Sequence, residues 1–148
     1  MTDILFYHLQ RQPLEAVLPG LLEKTLERNW RAVVQAASAE RVAALDAHLW
    51  TYSDESFLPH GTDAEPEGQP IVLTAGEGNP NGATVRFFVD GAVPADAAGY
   101  DRVVVIFDGN DPAALESARG AWRGMVAAGH AATYWQQNGD GRWEKRAG

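Results

Sequence analysis

Residues 102–137 decide the fold and have the sequence RVVVIFDGNDPAALESARGAWRGMVAAGHAATYWQQ. Five apolar residues follow Arg102 in succession, which is typical of a strand buried in a parallel sheet. Asp111 and Pro112 suit a helix N-cap and the first helical position, and Gly129 suits the left-handed residue after the helix. The last seven residues predict a second strand. The segment therefore predicts two parallel strands joined by a right-handed helical crossover.

The same alternation of strands and helices extends outward from this unit over most of the chain. Strands are predicted at 4–9, 31–37, 70–75 and 83–91, and helices at 13–30 and 39–50, with Ser38 as the N-cap of the second helix. The sequence GEGNPNG at 76–82 suggests a hairpin turn, and therefore one antiparallel pair in the middle of the chain. We predict one Rossmann-like, three-layer α/β domain over residues 1–148, with a mostly parallel mixed sheet.

One long segment between predicted strands has neither helical nor strand periodicity. Residues 51–69 contain two prolines and two glycines, and we predict that they form a functional loop. Trp50, Phe57 and Leu58 place large apolar side chains at the start of this loop and within it. Such residues either pack back on the domain as a satellite core or form the centre of an interface with a partner. Residues 139–148 are predicted to be a turn and a polar tail.

Composition and charge argue against several classes of protein. The chain has no cysteine, which excludes disulfides and thiolate metal sites and favours a cytosolic location. The N-terminus lacks the pattern of a signal peptide, and no apolar stretch approaches the roughly 20 residues that span a bilayer. The net charge of −8 argues against wrapping of nucleic acid, although it leaves room for a local basic patch. Five of the twelve basic residues lie among the last thirty: Arg119, Arg123, Arg142, Lys145 and Arg146.

The motifs of common α/β enzymes are absent from the sequence. It contains no Walker loop, no dinucleotide-binding G-x-G-x-x-G and no G-x-S-x-G nucleophile elbow. The junction after the first predicted strand, HLQRQPLEA, has no glycine that would let a phosphate approach the backbone. The four histidines show no metal-binding spacing. We therefore predict no catalytic residue, no cofactor and no metal, and a small nucleotide-binding α/β enzyme is the alternative hypothesis.

The last predicted helix carries a stripe of cationic and aromatic residues. Arg119 and Arg123 are four residues apart and share one helix face, with Trp122 and Met125 beside them. Two guanidiniums next to an aromatic ring and a methionine suit an acidic peptide that ends in an apolar residue. Alternatively, the stripe is a solvated helix face on which Glu116 pairs with Arg119.

Three stretches of the chain, together with a downstream tryptophan, resemble one known family. They are FYHL at 6–9, RVAALDAHLWTYSDESFLPH at 41–60 and ARGAWRGMVAAG at 118–129, followed by Trp143. In order, spacing and total length, the chain resembles the chi subunits of the bacterial DNA polymerase III holoenzyme, which are clamp-loader accessory proteins. The resemblance covers nearly the whole chain, and its most specific part is the LD-x-x-LW…ESFLPH block.

The resemblance implies a Rossmann-like adaptor without catalytic activity or cofactor, in the cytoplasmic, nucleoid-associated replisome. Chi subunits link the clamp loader, through the psi subunit, to the acidic C-terminal tail of the single-stranded DNA-binding protein, which ends in Phe. In some bacteria an XPD-like helicase binds at the psi surface. By motif match, the tail-binding site comprises Arg119, Trp122 and Arg123. The psi or helicase surface comprises Trp50, Phe57, Leu58, Pro59 and His60.

The chain departs from the family pattern at Leu115, one turn before Arg119, where the family often has a basic residue. Three basic residues near the C-terminus are candidates to replace it: Arg142, Lys145 and Arg146. From the net charge and the lack of a long apolar stretch, we predict neither strong direct binding of nucleic acid nor a membrane partner.

Overall fold

The computed structural model describes residues 2–10, 12–51, 59–62, 69–79, 81–94, 97, 99–138, 140 and 142–147. These residues form eight strands and three helices. In chain order they are β1 (Asp3–Leu9), α1 (Leu14–Glu27), β2 (Ala32–Gln35), α2 (Ala39–Thr51), β3 (Gly61–Thr62), β4 (Ile71–Thr74), β5 (Val85–Phe88), β6 (Arg102–Asp108), α3 (Pro112–Ala127), β7 (Ala131–Gln137) and β8 (Trp143–Ala147). None of the helices in these ranges is long and apolar enough to cross a membrane.

All eight strands belong to one sheet, in the order β3-β4-β2-β5-β6-β1-β7-β8. Neighbouring strands are parallel except β7 and β8, which are antiparallel. Leu18 of α1 and Leu45 of α2 are buried in a core on one face of the sheet, hereafter the α1 face. Ala118 and Met125 of α3 are buried on the other, the α3 face. The structure confirms the predicted Rossmann-like, three-layer α/β fold and its mostly parallel mixed sheet.

The β6–α3–β7 unit forms as its local signals predict. The Asp111 carboxylate accepts hydrogen bonds from the N–H groups of Ala113 (3.0 Å) and Ala114 (3.5 Å), which caps α3. Gly129 has a φ of 88°, the left-handed conformation that glycine adopts without strain. Because β1 lies between β6 and β7, the crossover carries α3 over β1. Side chains of α3 therefore meet side chains of β1 and β7.

The predicted hairpin at 76–82 is wrong. β4 and β5 lie on opposite sides of β2, and both run parallel to it. The connection between them is held by tertiary hydrogen bonds, since the buried Arg86 of β5 donates to the carbonyls of Gly76 and Gly78. The Asn81 amide donates to carbonyls at the start of β2 and just before β4. These bonds replace the helix that usually covers a parallel crossover.

Two strands form where the sequence predicts a loop and a tail. β3 lies within residues 51–69 and adds a two-residue parallel edge to β4. β8 lies within residues 139–148 and pairs with β7, so the antiparallel pair is at the C-terminal edge of the sheet and not in its middle. Both are edge strands, which need little apolar sequence because one side is unpaired. The prediction missed them for this reason.

Candidate partner-binding sites

The predicted tail site lies on the outer side of α3. Ala118 and Met125 bury the inner side of the helix against the sheet. Arg119 and Arg123 are exposed on the outer side, and Trp122 is partly buried where the helix meets the sheet. The structure therefore brings all three predicted residues, Arg119, Trp122 and Arg123, to one surface.

Trp122 belongs to a continuous group of aromatic rings on the α3 face. Its ring centroid lies 5.4 Å from that of Phe6 and 6.0 Å from that of Tyr134, both in edge-to-face geometry. The Tyr134 ring lies 5.9 Å from His8 and 6.0 Å from Phe107. The strand register produces this arrangement, because Phe6 of β1 is opposite Tyr134 of β7. We define the α3 cluster as His8, Arg119, Trp122, Arg123 and Tyr134.

Sequence reasoning did not assign His8 or Tyr134 to this site, although both lie in predicted strands. Strand alternation places Phe6 and His8 on the same face of β1, and it does so from the sequence alone. The pairing of β1 with β7 is not encoded locally, since more than a hundred residues separate the two strands. The sequence could therefore show which face of β1 carries His8, but it could not show that Tyr134 of β7 lies beside it.

His8 and Tyr134 form a short hydrogen bond, with 2.6 Å between the imidazole Nδ1 and the phenolic oxygen. Burial lowers the pKa of His8, and the positive charge of Arg119 lowers it further, against the opposing effect of Asp108. Burial raises the pKa of Tyr134, and Arg119 partly offsets this change. Both side chains are therefore uncharged near neutral pH, and the arginines carry the positive charge of the α3 cluster.

The hypothesis of a solvated helix face predicted that Glu116 pairs with Arg119. In the structure, Glu116 pairs with Arg123 instead. The distance from its carboxylate to the Arg123 guanidinium is 3.7 Å, and both side chains are about two-thirds exposed, so the pair is weak. Within the described ranges, Arg119 takes part in no ion pair. Its guanidinium can therefore bind an external carboxylate without breaking an internal one.

The structure also shows what surrounds the position where the family often has a basic residue. Leu115 is partly buried and packs against the core of the α3 face. Lys145 is opposite Trp135 in the β7–β8 register. The Arg146 guanidinium lies 3.5 Å from the Glu144 carboxylate. Glu144 is opposite Gln136 in the β7–β8 register. Side chains alternate along β7, so Tyr134 and Gln136 are on the face of the α3 cluster and Trp135 is on the opposite face. The Glu144–Arg146 pair is therefore on the face of the α3 cluster, and Lys145 is on the opposite face.

The second predicted surface lies at the opposite edge of the sheet, where α2 ends. Trp50 is 51% exposed, and its ring centroid lies 4.3 Å from that of His60. His60 is buried, and its Nε2 lies 3.1 Å from the Asp46 carboxylate. Pro59 is partly buried. The buried His60 ring therefore packs against the Trp50 indole, and about half of the Trp50 side chain is exposed to solvent. Phe57 and Leu58 lie outside the described residues.

A crevice of about 670 Å³ opens beyond the carboxyl ends of β1, β5 and β6, where folds of this class commonly bind ligands. Its lining includes the carboxylates of Glu15, Asp90, Asp108 and Asp111. Arg41 also lines it, but its guanidinium is 2.9 Å from both Glu15 and Asp90. Excess negative charge disfavours a phosphate group here, which argues against the nucleotide-binding alternative. No group of three or more potential metal ligands occurs in the part of the chain that is described.

Known proteins resemble the chain along most of its length. The family model described as DNA polymerase III chi subunit, HolC, matches residues 1–133. A protein of Rickettsia prowazekii named probable DNA polymerase III subunit chi is 29% identical over 120 residues, which cover 73% of this chain and 71% of that one. The protein of Pseudomonas aeruginosa named DNA polymerase III subunit chi is 25% identical over 126 residues, which cover 83% of this chain and 88% of that one.

Proposed function

Because the chain belongs to the DNA polymerase III chi subunit family, we propose that it is a non-catalytic adaptor for the acidic C-terminal tail of the single-stranded DNA-binding protein. Family membership gives the chain a role in DNA replication, as an accessory subunit of a polymerase complex. The observation that carries the proposal is the α3 cluster, in which two exposed guanidiniums one turn apart flank a partly buried indole. The proposed contacts are Arg119, Trp122 and Arg123.

An acidic tail that ends in Phe has both kinds of group that the α3 cluster favours. Its carboxylates can form charge-assisted hydrogen bonds with Arg119 and Arg123. Its terminal ring can pack edge-on against Trp122 and Tyr134, which already contact each other in that geometry. The net charge of −8 repels nucleic acid over most of the surface, whereas the local pair of arginines attracts the tail.

A charge reversal on α3 tests the tail site. The double change Arg119→Glu and Arg123→Glu should weaken binding of a fluorescent acidic peptide ending in Phe at least tenfold, from an initial Kd of about 1 μM, or about −8 kcal/mol. Fluorescence anisotropy measures the affinity, and added salt should reduce it in the parent protein because the contacts are charged.

Lys24 and Arg28 provide the matched control, because they are also four residues apart near a helix end and exposed, but α1 lies on the other face of the sheet. Lys24→Glu with Arg28→Glu makes the same change in net charge and should leave peptide affinity within about twofold of the parent. If both double variants lost the same peptide affinity, the loss would be due to the change in net charge, and the proposed α3 site would be wrong.

We further propose that the psi subunit, or an XPD-like helicase, binds the surface of Trp50, Phe57, Leu58, Pro59 and His60. The exposed indole at the end of α2 supports this proposal, because a half-exposed tryptophan is costly in water and typical of interface centres. Trp50→Asp should abolish co-purification of that partner and leave tail-peptide affinity unchanged. Val126→Asp is the control, since Val126 is 49% exposed but lies on α3. Retention of the partner by Trp50→Asp would refute this assignment.

A further inference from the structure

A second aromatic and cationic surface lies on the α1 face, behind the α3 cluster. The helices cover the middle of the sheet, where Val103–Phe107 of β6 are all buried. They leave the β7–β8 edge partly open, since none of residues 131–136 and 143–147 is buried. Side chains at this edge are therefore accessible on the α1 face.

Four aromatic rings lie on or beside this open part of the sheet. The Tyr7 ring centroid is 6.5 Å from that of Trp135 in a nearly parallel orientation, and 4.8 Å from that of Trp143 in an edge-to-face orientation. Trp30 follows the end of α1 and packs against the margin of the same core. All four rings are partly exposed. We define the aromatic platform as Tyr7, Trp30, Trp135 and Trp143.

Cationic groups lie beside two of these rings, those of Trp30 and Trp135. The guanidinium carbons of Arg28 and Arg102 lie 5.0 Å and 5.1 Å from the centroid of Trp30, within cation–π range. Both line a cavity of about 260 Å³ with Lys24 and Tyr7. At the other end of the platform, Lys145 of β8 is opposite Trp135 of β7.

These cations have no carboxylate partner within the described ranges. None of the ion pairs there contains Lys24, Arg28, Arg102 or Lys145. Asp3 is opposite Arg102 in the β1–β6 register, but none of the ion pairs in the described ranges contains Asp3. The platform therefore carries four cationic side chains that are not engaged in these ion pairs, in a chain whose net charge is −8.

We propose that the aromatic platform binds single-stranded nucleic acid. Each nucleotide combines a base, which can stack on an exposed ring, with a phosphate, which can pair with a guanidinium or an ammonium group. Rings and cations that lie side by side over a sheet surface provide both kinds of contact. An acidic peptide would pair with the cations but would leave the rings of β7 and β8 without a stacking partner. A duplex keeps its bases stacked internally, so it could use only the cations.

The proposal is independent of the tail site. The platform and the α3 cluster are on opposite faces of β1 and β7, so one can be disabled without the other. Trp135, Trp143 and Lys145 also lie beyond residues 1–133, which the family model matches. We expect weak, salt-sensitive binding, because the acidic remainder of the surface opposes any polyanion.

Two matched arginine pairs test the platform. The probe is a fluorescein-labelled oligothymidylate of about 12 nucleotides, titrated with the full chain at about 20–200 mM NaCl. Arg28→Gln with Arg102→Gln should weaken binding about tenfold and lower the slope of log K against log salt by about 1.4, which is about 0.7 for each lost phosphate contact. Arg119→Gln with Arg123→Gln removes the same charge from the α3 face and should leave binding within about twofold of the parent.

A third variant tests stacking separately from charge. Trp135→Ala should weaken oligothymidylate binding about fivefold or more without changing the salt slope, because base stacking on an aromatic side chain contributes about 1–3 kcal/mol. Circular dichroism verifies that each variant is folded. The proposal is overturned if the parent does not bind the probe at low salt, or if both arginine pairs weaken binding equally. It is also overturned if Arg28→Gln with Arg102→Gln weakens binding of an acidic peptide but not of oligothymidylate.

Discussion

The two faces of the β1–β7 strand pair carry similar side chains in different arrangements. On the α3 face, both cations come from one helix and are one turn apart, beside rings that are packed together. On the α1 face, the cations come from the end of α1, the start of β6 and β8, and the rings extend over several strands. The first arrangement suits a short carboxylate-bearing tail, and the second suits a longer, repeating polyanion. The two proposals therefore depend on which elements carry the cations as much as on the residue types.

A single strand supplies the centre of both surfaces. Alternation along β1 directs Phe6 and His8 to the α3 face, and Leu5 and Tyr7 to the α1 face. His8 and Tyr7, which lie on opposite faces, also differ in the charge that they can carry. Burial lowers the pKa of His8, whereas burial raises the pKa of Tyr7 against the opposing charges of Arg102 and Arg28. Of these two rings, acid can therefore charge only the imidazole of His8.

The largest difference between the faces in stability should result from Gly109→Ala. A Cβ atom at Gly109 would overlap the His8 imidazole, and the Gly109 N–H is fixed by a 2.8 Å hydrogen bond to the Leu9 carbonyl. The imidazole must therefore move and lose its bond to Tyr134. We expect a loss of about 1–3 kcal/mol in the free energy of unfolding and a severalfold weaker tail-peptide affinity, with no change in oligothymidylate binding. Urea denaturation and anisotropy measure these quantities.

Gly124→Ala is the control for this substitution. Nothing lies within 4 Å of the site of its added Cβ, and it is in the exposed part of α3. Alanine there should stabilise the protein by about 1 kcal/mol through helix propensity alone. If Gly109→Ala were as stable as the parent and bound the peptide equally well, His8 would not support the α3 cluster.

Much of the fold and one of the candidate partner surfaces could be predicted because their signals are local. Asp111, Pro112 and Gly129 mark the ends of α3 within a few residues of sequence. Helical spacing alone places Arg119 and Arg123 on one face, and the structure confirms that they share it. These features depend on the chain within one turn of the residue and need no knowledge of strand order.

The features that sequence reasoning missed depend on non-local pairing. The bond between His8 and Tyr134 requires the β1–β7 register, and the aromatic platform requires β8. The role of Arg86 also could not be predicted from the sequence. It lies in an apolar strand, and nothing nearby in the sequence indicates that it donates to carbonyls of the glycine-rich crossover. GEGNPNG is compatible with both a hairpin and this crossover, and the buried guanidinium decides between them. Register and strand order arise from the whole core, so a local pattern cannot specify them.

The smallest expected effect is the pH dependence that His8 contributes to stability from the α3 face. Burial and Arg119 lower the pKa of His8 in the folded protein, while the unfolded chain has the ordinary value of about 6.5. As pH falls below about 6.5, the unfolded chain binds a proton that the folded chain still excludes, so the free energy of unfolding decreases until the folded pKa is passed. Urea denaturation of the parent and of His8→Gln between about pH 8 and pH 5 measures this contribution, which should be present only in the parent.

Two further variants locate the cause of this pH dependence. Arg119→Gln removes a nearby positive charge, so the pKa of His8 should move back towards its ordinary value and the loss of stability in acid should shrink. Tyr7→Phe alters only the platform, and because burial raises the pKa of Tyr7, it should leave the acid range unchanged. If the parent and His8→Gln lost the same stability in acid, the imidazole would be as easily protonated in the fold as outside it. His8 would then contribute no pH dependence to the stability of the protein.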